Sequence, residues 1–297
     1  MKVVSFLKDG RASYGLVVAN GVIDAGKRLG LTIPDLKTLL ERDALVELHA
    51  LAAETDADFA LSDIRFLPPI PKPDKILCVG LNYRPHIEET GFKAPKYPLI
   101  FTRFASSQVG HGEALTRPSV SDKLDYEGEL AVVIGRRGRH IPAAGALRHV
   151  AGYACFNDGS VRDYQRHGGQ FTPGKNFVGS GAFGPWLTTA EEVSDPAELG
   201  LKTRLNGQEV QSASVSELIF SVPELISYCS GFTELVPGDV IVTGTPGGVG
   251  YAQDPPRYLT AGDTIEVAIE GLGVLRNSVV DEADTLARRA QIDWTDS

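Results

Sequence analysis

Apolar and polar positions alternate at the front of the chain and gather into short runs behind it. VVSFL, SYGLVV and VID are separated by Asp9-Gly10 and Asn20-Gly21, pairs that supply the positive φ of tight hairpin turns. That spacing predicts a three-strand meander. From Pro34 the period changes. IPDLKTLLERDALVELHALAAE places leucines three and four apart, which predicts one helical stretch with Pro34 in its first turn. A strand-like DIRFL follows. Pro68, Pro69, Pro71 and Pro73 then hold the chain extended and withdraw backbone donors, which puts a domain boundary near residue 70.

Beyond that boundary, KILCVG, PLIFTRF, GELAVVIG, GYACFND, GDVIVTG and DTIEVAIEGLGVLRNSVV are apolar runs punctuated by Gly, Pro, Asn or Asp. Helices are expected over SVSELIFSVPELISYCSG and, in the tail, over ADTLARRAQ. The fold class is therefore α+β and strand-rich: a small N-terminal α+β domain over residues 1–70 and a larger domain over 71–297. Composition agrees, since 32 Gly and 18 Pro in 297 residues without a repeat mean many tight turns. Net charge is −9, so no basic field neutralises phosphates and nucleic acid is not an expected partner. Cys78, Cys155 and Cys229 lie far apart, which fits a reducing compartment and argues against a thiolate zinc site. No run approaches the roughly 18 apolar residues of a membrane span, and Lys8 and Asp9 interrupt the N-terminal apolar run too early for a signal peptide. The expectation is a cytoplasmic protein without a membrane partner. TGTPGGVG (243–250) follows a strand but lacks GxGxxG spacing and a following Lys-Ser/Thr pair, so it is not a nucleotide loop.

Candidate chemistry sits in four places. In LDYEGELAVVIG, Glu127 and Glu129 are two apart, so a strand's period puts both carboxylates on one face. Their repulsion would be relieved by a hard divalent cation, although a solvated strand end reads the same way. ACFND ends an apolar run at Asp158, followed by Arg162, Asp163 and Gln165; this is either a third hard ligand on the rim of a site or an Asn-Asp turn. His86 and Glu89 lie three apart in LNYRPHIEETG, so within a helical turn the carboxylate can polarise the imidazole into a general base. An exposed loop histidine is the plainer alternative. Lys175 in TPGKNF is a solvated charge or, beside a metal, an oxyanion stabiliser.

Taken in order, VGLNYRPHIEE, DYEGELAVVIG, FNDGSVRDYQ, PGKNF and TGTPGGVG resemble the fumarylacetoacetate hydrolase family, in register from about Lys75 to Asp281. The segment before Pro68 resembles the variable N-terminal domain that many members carry. The resemblance implies a mixed β-sandwich roll, and a commonly homodimeric enzyme acting on a small anionic oxo acid. It makes Glu127, Glu129 and Asp158 ligands of Mg²⁺ (or Mn²⁺), His86 and Glu89 a water-activating dyad, and Lys175 an oxyanion-stabilising lysine. Arg162 and Gln165 match residues close to substrate, and Thr245 matches a carboxylate-binding threonine. Arg103 falls where many members have lysine, a change expected to affect the pocket rather than the chemistry. The leading expectation is hydrolysis of a C–C bond in an acylpyruvate-like or fumarylacetoacetate-like diketo acid. The alternative is decarboxylation or keto–enol isomerisation (a tautomerase) of a 2-oxo dicarboxylic acid, which needs enolate stabilisation but no water nucleophile. A non-catalytic ligand-binding protein on the same fold is the remaining reading.

Overall fold

The strand Gly128–Ile134 is buried at every position. Its sequence, GELAVVI, does not alternate, because both faces are covered. Leu130, Val132 and Ile134 enter one apolar cluster, and Ala131 and Val133 enter another. The computed structural model describes residues 1–284 apart from 20, 55, 92 and 94.

This strand lies inside a mixed sheet. On one side it pairs with Val150–Asn157, then Gly181–Thr189, then Lys2–Lys8, Arg11–Val18 and Gly21–Asp24. On the other it pairs with Val240–Val242, then Ile76–Gly80 and Leu99–Arg103. A second sheet of Gln208–Ser214, Gly200–Leu205, Thr264–Ile269, Gly273–Asp281 and Leu115–Arg117 packs over one face. Leu201, Ile265, Val267 and Leu275 from it meet Leu130, Val132 and Tyr153 from the first, which makes the strand-rich sandwich expected from the resemblance. On the opposite face Leu36, Leu39 and Leu48 cover Ala131, Val133, Phe156 and Val240.

The meander forms as the spacing predicts. Asp9 (φ 51) and Gly10 (φ 78) turn Lys2–Lys8 into Arg11–Val18. Residues 1–70 and the rest of the chain share one continuous sheet, since Lys2 pairs with Thr188 and Val3 with Leu187. Within the proline run, the Pro69 carbonyl accepts from Ser5 Oγ at 2.7 Å, and Ile70 is buried in the helical-side cluster.

Three expected elements come out differently. The single helix after Pro34 is two, Leu36–Glu41 and Leu45–Glu54, because Asp43 turns left-handed (φ 53) between them. Pro34 stands before the helix, and Asp35 caps it by accepting from the Thr38 N–H at 2.7 Å. The helix expected over 214–231 reduces to Val222–Phe232, preceded by a short turn at Val215–Glu217. Ser221 and Glu224 form a capping box there, and Pro223 sits in the first turn. The long run over 263–280 is a hairpin, Thr264–Ile269 and Gly273–Asp281, reversing through Gly271 (φ 76). The tail helix expected over 283–291 falls almost wholly outside the described residues. All three cysteines are buried and unpaired. Among the described residues no helix is long and apolar enough to cross a membrane.

Candidate active site

Strand register assembles the carboxylates. Gly128 pairs with Asn157, so the flanking residues Glu127 and Asp158 emerge side by side. The Asp158 N–H donates to the Glu127 carbonyl at 2.8 Å, and the Glu127 N–H donates to Asn157 Oδ1 at 3.0 Å. Glu129, two residues along, points to the same side, and the ligand oxygens of Glu127, Glu129 and Asp158 all lie within 4.8 Å of one another. All three are buried, at 5%, 2% and 0% exposure.

Cations surround them. Lys175, from the short helix Thr172–Lys175, donates at 2.6 Å to both Glu127 Oε2 and Asp158 Oδ2. Arg162 donates to Glu127 Oε1 at 2.6 Å, to Asp125 Oδ2 at 2.8 Å and to Gln165 Oε1 at 3.0 Å. Arg103 stands behind Asp158: its guanidinium donates to Asp158 Oδ1, to the Gly159 carbonyl and to Ser180 Oγ. It therefore braces Asp158 and is absent from the cavity wall, contrary to the effect on the pocket expected from sequence.

Four buried carboxylates, Asp125 included, face three buried cations. Burial opposes the Glu127 charge, but Lys175 and Arg162 outweigh it and bring its carboxyl down to about 2. Lys175, equally buried, is held above the usual lysine value because Asp158 and Glu127 offset the burial. At Glu129 the nearby Lys175 charge and the Gly244 N–H are outweighed. Burial, with repulsion from Asp158 and Glu127, pushes its carboxyl well up. The donor set thus gathers hard oxygens around a carboxyl whose charge is disfavoured until a cation is beside it. Octahedral Mg²⁺ or Mn²⁺ bonds of about 2.1 Å place ligand oxygens roughly 3–4.2 Å apart, within the observed 4.8 Å span. The residues fit such an ion.

His86 and Glu89 sit on the helix Arg84–Thr90, reached from Gly80 through Leu81 at φ 56. The i,i+3 spacing brings His86 Nδ1 to 2.9 Å from Glu89 Oε1. A carboxylate only accepts, so neutral His86 carries its proton on Nδ1 and its basic lone pair on Nε2.

The glycine-rich stretch rejected as a nucleotide loop serves the protein's own carboxylates. The Gly244 N–H donates to Glu129 Oε2 at 2.5 Å, and the Gly248 N–H to Glu89 Oε2 at 2.8 Å. Gly250 and Tyr251 N–H donate to Asp125 at 2.9 and 3.0 Å. Gly244 must be glycine: its φ is +107, and a Cβ would lie 2.8 Å from Asn82 Cβ. Thr245 Oγ1 donates to the Gly128 carbonyl at 3.0 Å and accepts from Gln211 Nε2 at 2.9 Å.

A cavity of about 70 Å³ opens onto this assembly. Seven of the nine residues singled out from sequence line it: His86, Glu127, Glu129, Arg162, Gln165, Lys175 and Thr245. Glu89 and Asp158 stand one bond behind, through His86 and Lys175. Sequence reading missed Asp125, Arg166, Gln211 and Tyr251. Asp125 adjoins the ExE pair and could have been found there; Gln211 and Tyr251 carry no local signal.

A buried carboxylate triad able to hold a divalent ion, with a His/Glu pair beside the same small cavity, is the site of an enzyme built on a strand-rich sandwich. Residues 75–280 match the family described as fumarylacetoacetate (FAA) hydrolase C-terminal, and the chain belongs to that family. It is 44% identical over 237 residues to the human mitochondrial oxaloacetate tautomerase FAHD2A, covering 79% of this chain and 75% of that one. A putative HpcE protein from Mycobacterium smegmatis superposes with a TM-score of 0.85 at 37% identity, covering 95% of this chain and 100% of that one. The maleylpyruvate hydrolase of Sphingobium sp. SYK-6, solved with manganese(II) and pyruvate, gives 0.79 at 27% identity, covering 95% and 99%.

Proposed function

We propose that this enzyme interconverts the keto and enol forms of a short 2-oxo dicarboxylic acid, with oxaloacetate as the first substrate to test. The kinship to oxaloacetate tautomerases at 44% identity favours proton transfer over the C–C hydrolysis that led the sequence reading. The observation that carries the chemistry is His86, paired to Glu89 and lining the same small cavity as Glu127, Glu129 and Lys175. Bound Mg²⁺ or Mn²⁺, held by Glu127, Glu129 and Asp158, would act as a Lewis acid toward the oxygens of the oxo acid.

The chain's own part is proton handling. His86 Nε2 takes the proton from the carbon beside the 2-oxo group, and Glu89 stabilises the imidazolium that results. The electron pair left on carbon moves to the 2-oxo oxygen as an enolate. Protonated Lys175 holds positive charge beside that oxygen, and return of the proton from His86 to it completes the enol. No bond between carbons breaks and no water is consumed.

The test follows the enol absorbance of oxaloacetate with Mg²⁺ and after chelation. Loss of enol signal without carbon dioxide or cleavage products is expected, and chelation should stop it. Cleavage products carrying oxygen from solvent water would overturn the proposal in favour of a hydrolase. The likeness to maleylpyruvate hydrolase supports that second reading, because the same dyad could activate water.

A further inference from the structure

We propose that Arg166 anchors the second carboxylate of the substrate and so makes the site selective for 2-oxo dicarboxylic over 2-oxo monocarboxylic acids; this rests on the tautomerase reading above. Three lysine and arginine side chains line the cavity: Arg162, Arg166 and Lys175. Two are already committed. Lys175 is bonded to Glu127 and Asp158, and Arg162 to Asp125 and Glu127. Among the described residues Arg166 has no ion pair. Its charge is the one left to meet an anion brought in from solution.

Its position is fixed by aromatic packing. Arg162 and Arg166 are four apart, and both guanidinium groups lie against the Tyr251 ring, with Cζ at 4.4 and 5.0 Å from its centroid. Two like charges held so close repel unless something stabilises them. The π-face of Tyr251 attracts both, whereas Asp125 and Glu127 neutralise only Arg162. Asp125 also ties the platform together, because it accepts from the Tyr251 N–H at 3.0 Å and from Arg162 Nε at 2.8 Å.

Depth sets the order of contacts. The carboxylate triad is buried, whereas Arg166 is exposed on the wall of the same cavity. A 2-oxo dicarboxylate would place its oxo-acid end at the triad and its distal carboxylate outward, at Arg166. A guanidinium offers two parallel N–H donors in the geometry a carboxylate accepts, which lysine cannot reproduce. The monocarboxylate lacks the group that Arg166 would hold.

The test compares L-malate and L-lactate, unreactive acids sharing a 2-hydroxy-acid end and differing in the distal carboxylate, by calorimetric titration of Mg²⁺-loaded protein. Wild type should bind malate about 10–100-fold more tightly than lactate, the worth of a charged hydrogen-bonded pair. Arg166→Gln should bring the two within about threefold by weakening malate alone, and Arg166→Lys should restore part of the preference. A malate preference unchanged in Arg166→Gln, or a parallel loss for lactate, overturns the proposal. Oxaloacetate kinetics on the same samples separate the two ideas. If wild type interconverts no tautomers while the malate preference still depends on Arg166, the tautomerase reading fails and the anchor stands. If tautomerisation is intact and the preference ignores Arg166, the anchor fails alone.

Discussion

At the residue scale, the triad and the dyad separate by experiment. Glu129 is held by one backbone N–H, in a setting that resists its charge. Glu129→Ala should abolish Mn²⁺ binding in a calorimetric titration and activity with it. His86→Ala should leave Mn²⁺ binding intact and lower turnover by a factor on the order of 10²–10⁴, the usual share of a general base. Normal turnover in His86→Ala would remove the dyad from the mechanism. Gly128 tests the packing beneath the site. A Cβ there would stand 2.0 Å from Thr203 Oγ1, so Gly128→Ala should destabilise the fold by about 1–3 kcal/mol in denaturant titration. Adding Thr203→Ala removes the obstructing atom and should recover most of that loss.

At the element scale, the loop from Arg257 to Asp263 is held by one carboxylate. Asp263 accepts from Asn206 Nδ2 at 2.8 Å, Arg257 Nη2 at 2.9 Å and the Thr260 N–H at 2.8 Å. Burial disfavours its charge, but these donors outweigh it and hold the carboxyl below the ordinary aspartate value. A carboxyl with a lowered folded pKa stabilises the fold above its unfolded value, and that contribution is lost as pH falls through the lower folded value. Asp263→Asn should therefore lower the melting temperature at neutral pH. The gap from wild type should narrow once pH drops below the ordinary aspartate range. A gap that stays constant into acid would show that the hydrogen-bond geometry, not the charge, is what matters.

At the scale of the whole molecule, ion binding and folding are linked. An ion that binds only the folded chain stabilises it by about 2.7 kcal/mol at a hundred times its dissociation constant. Mn²⁺ should raise the melting temperature, a chelator should reverse the shift, and Glu129→Ala should show neither effect. The N-terminal segment is the second test. Lys2–Lys8 extends the sheet at Gly181–Thr189, and Leu36 and Leu39 share a cluster with Ile76, Cys78 and Phe101. A chain starting at residue 75 would bare that cluster and the edge of Gly181–Thr189, so it should aggregate or melt well below the full chain.

How much of this was legible in sequence depends on how local each cause is. Turn chemistry at Asp9-Gly10, the two-residue period joining Glu127 to Glu129 and the i,i+3 pair His86–Glu89 act within a few bonds, so the chain determined them alone. The motif order carried the family and seven of the cavity's residues. Tertiary structure decided what depends on distant partners. Strand register set Asp158 beside Glu127, and the break at Asp43 divided one expected helix into two. Backbone N–H groups of a glycine-rich loop went to buried Asp125 and Glu129 and to the more exposed Glu89, because carboxylates drawn out of water need donors and a chain turning with positive φ can supply them at close range. The setting that resists the Glu129 charge and the absence of an ion pair at Arg166 among the described residues have the same origin. Which charges are neutralised is a property of neighbours brought together by folding, and no stretch of sequence encodes it by itself.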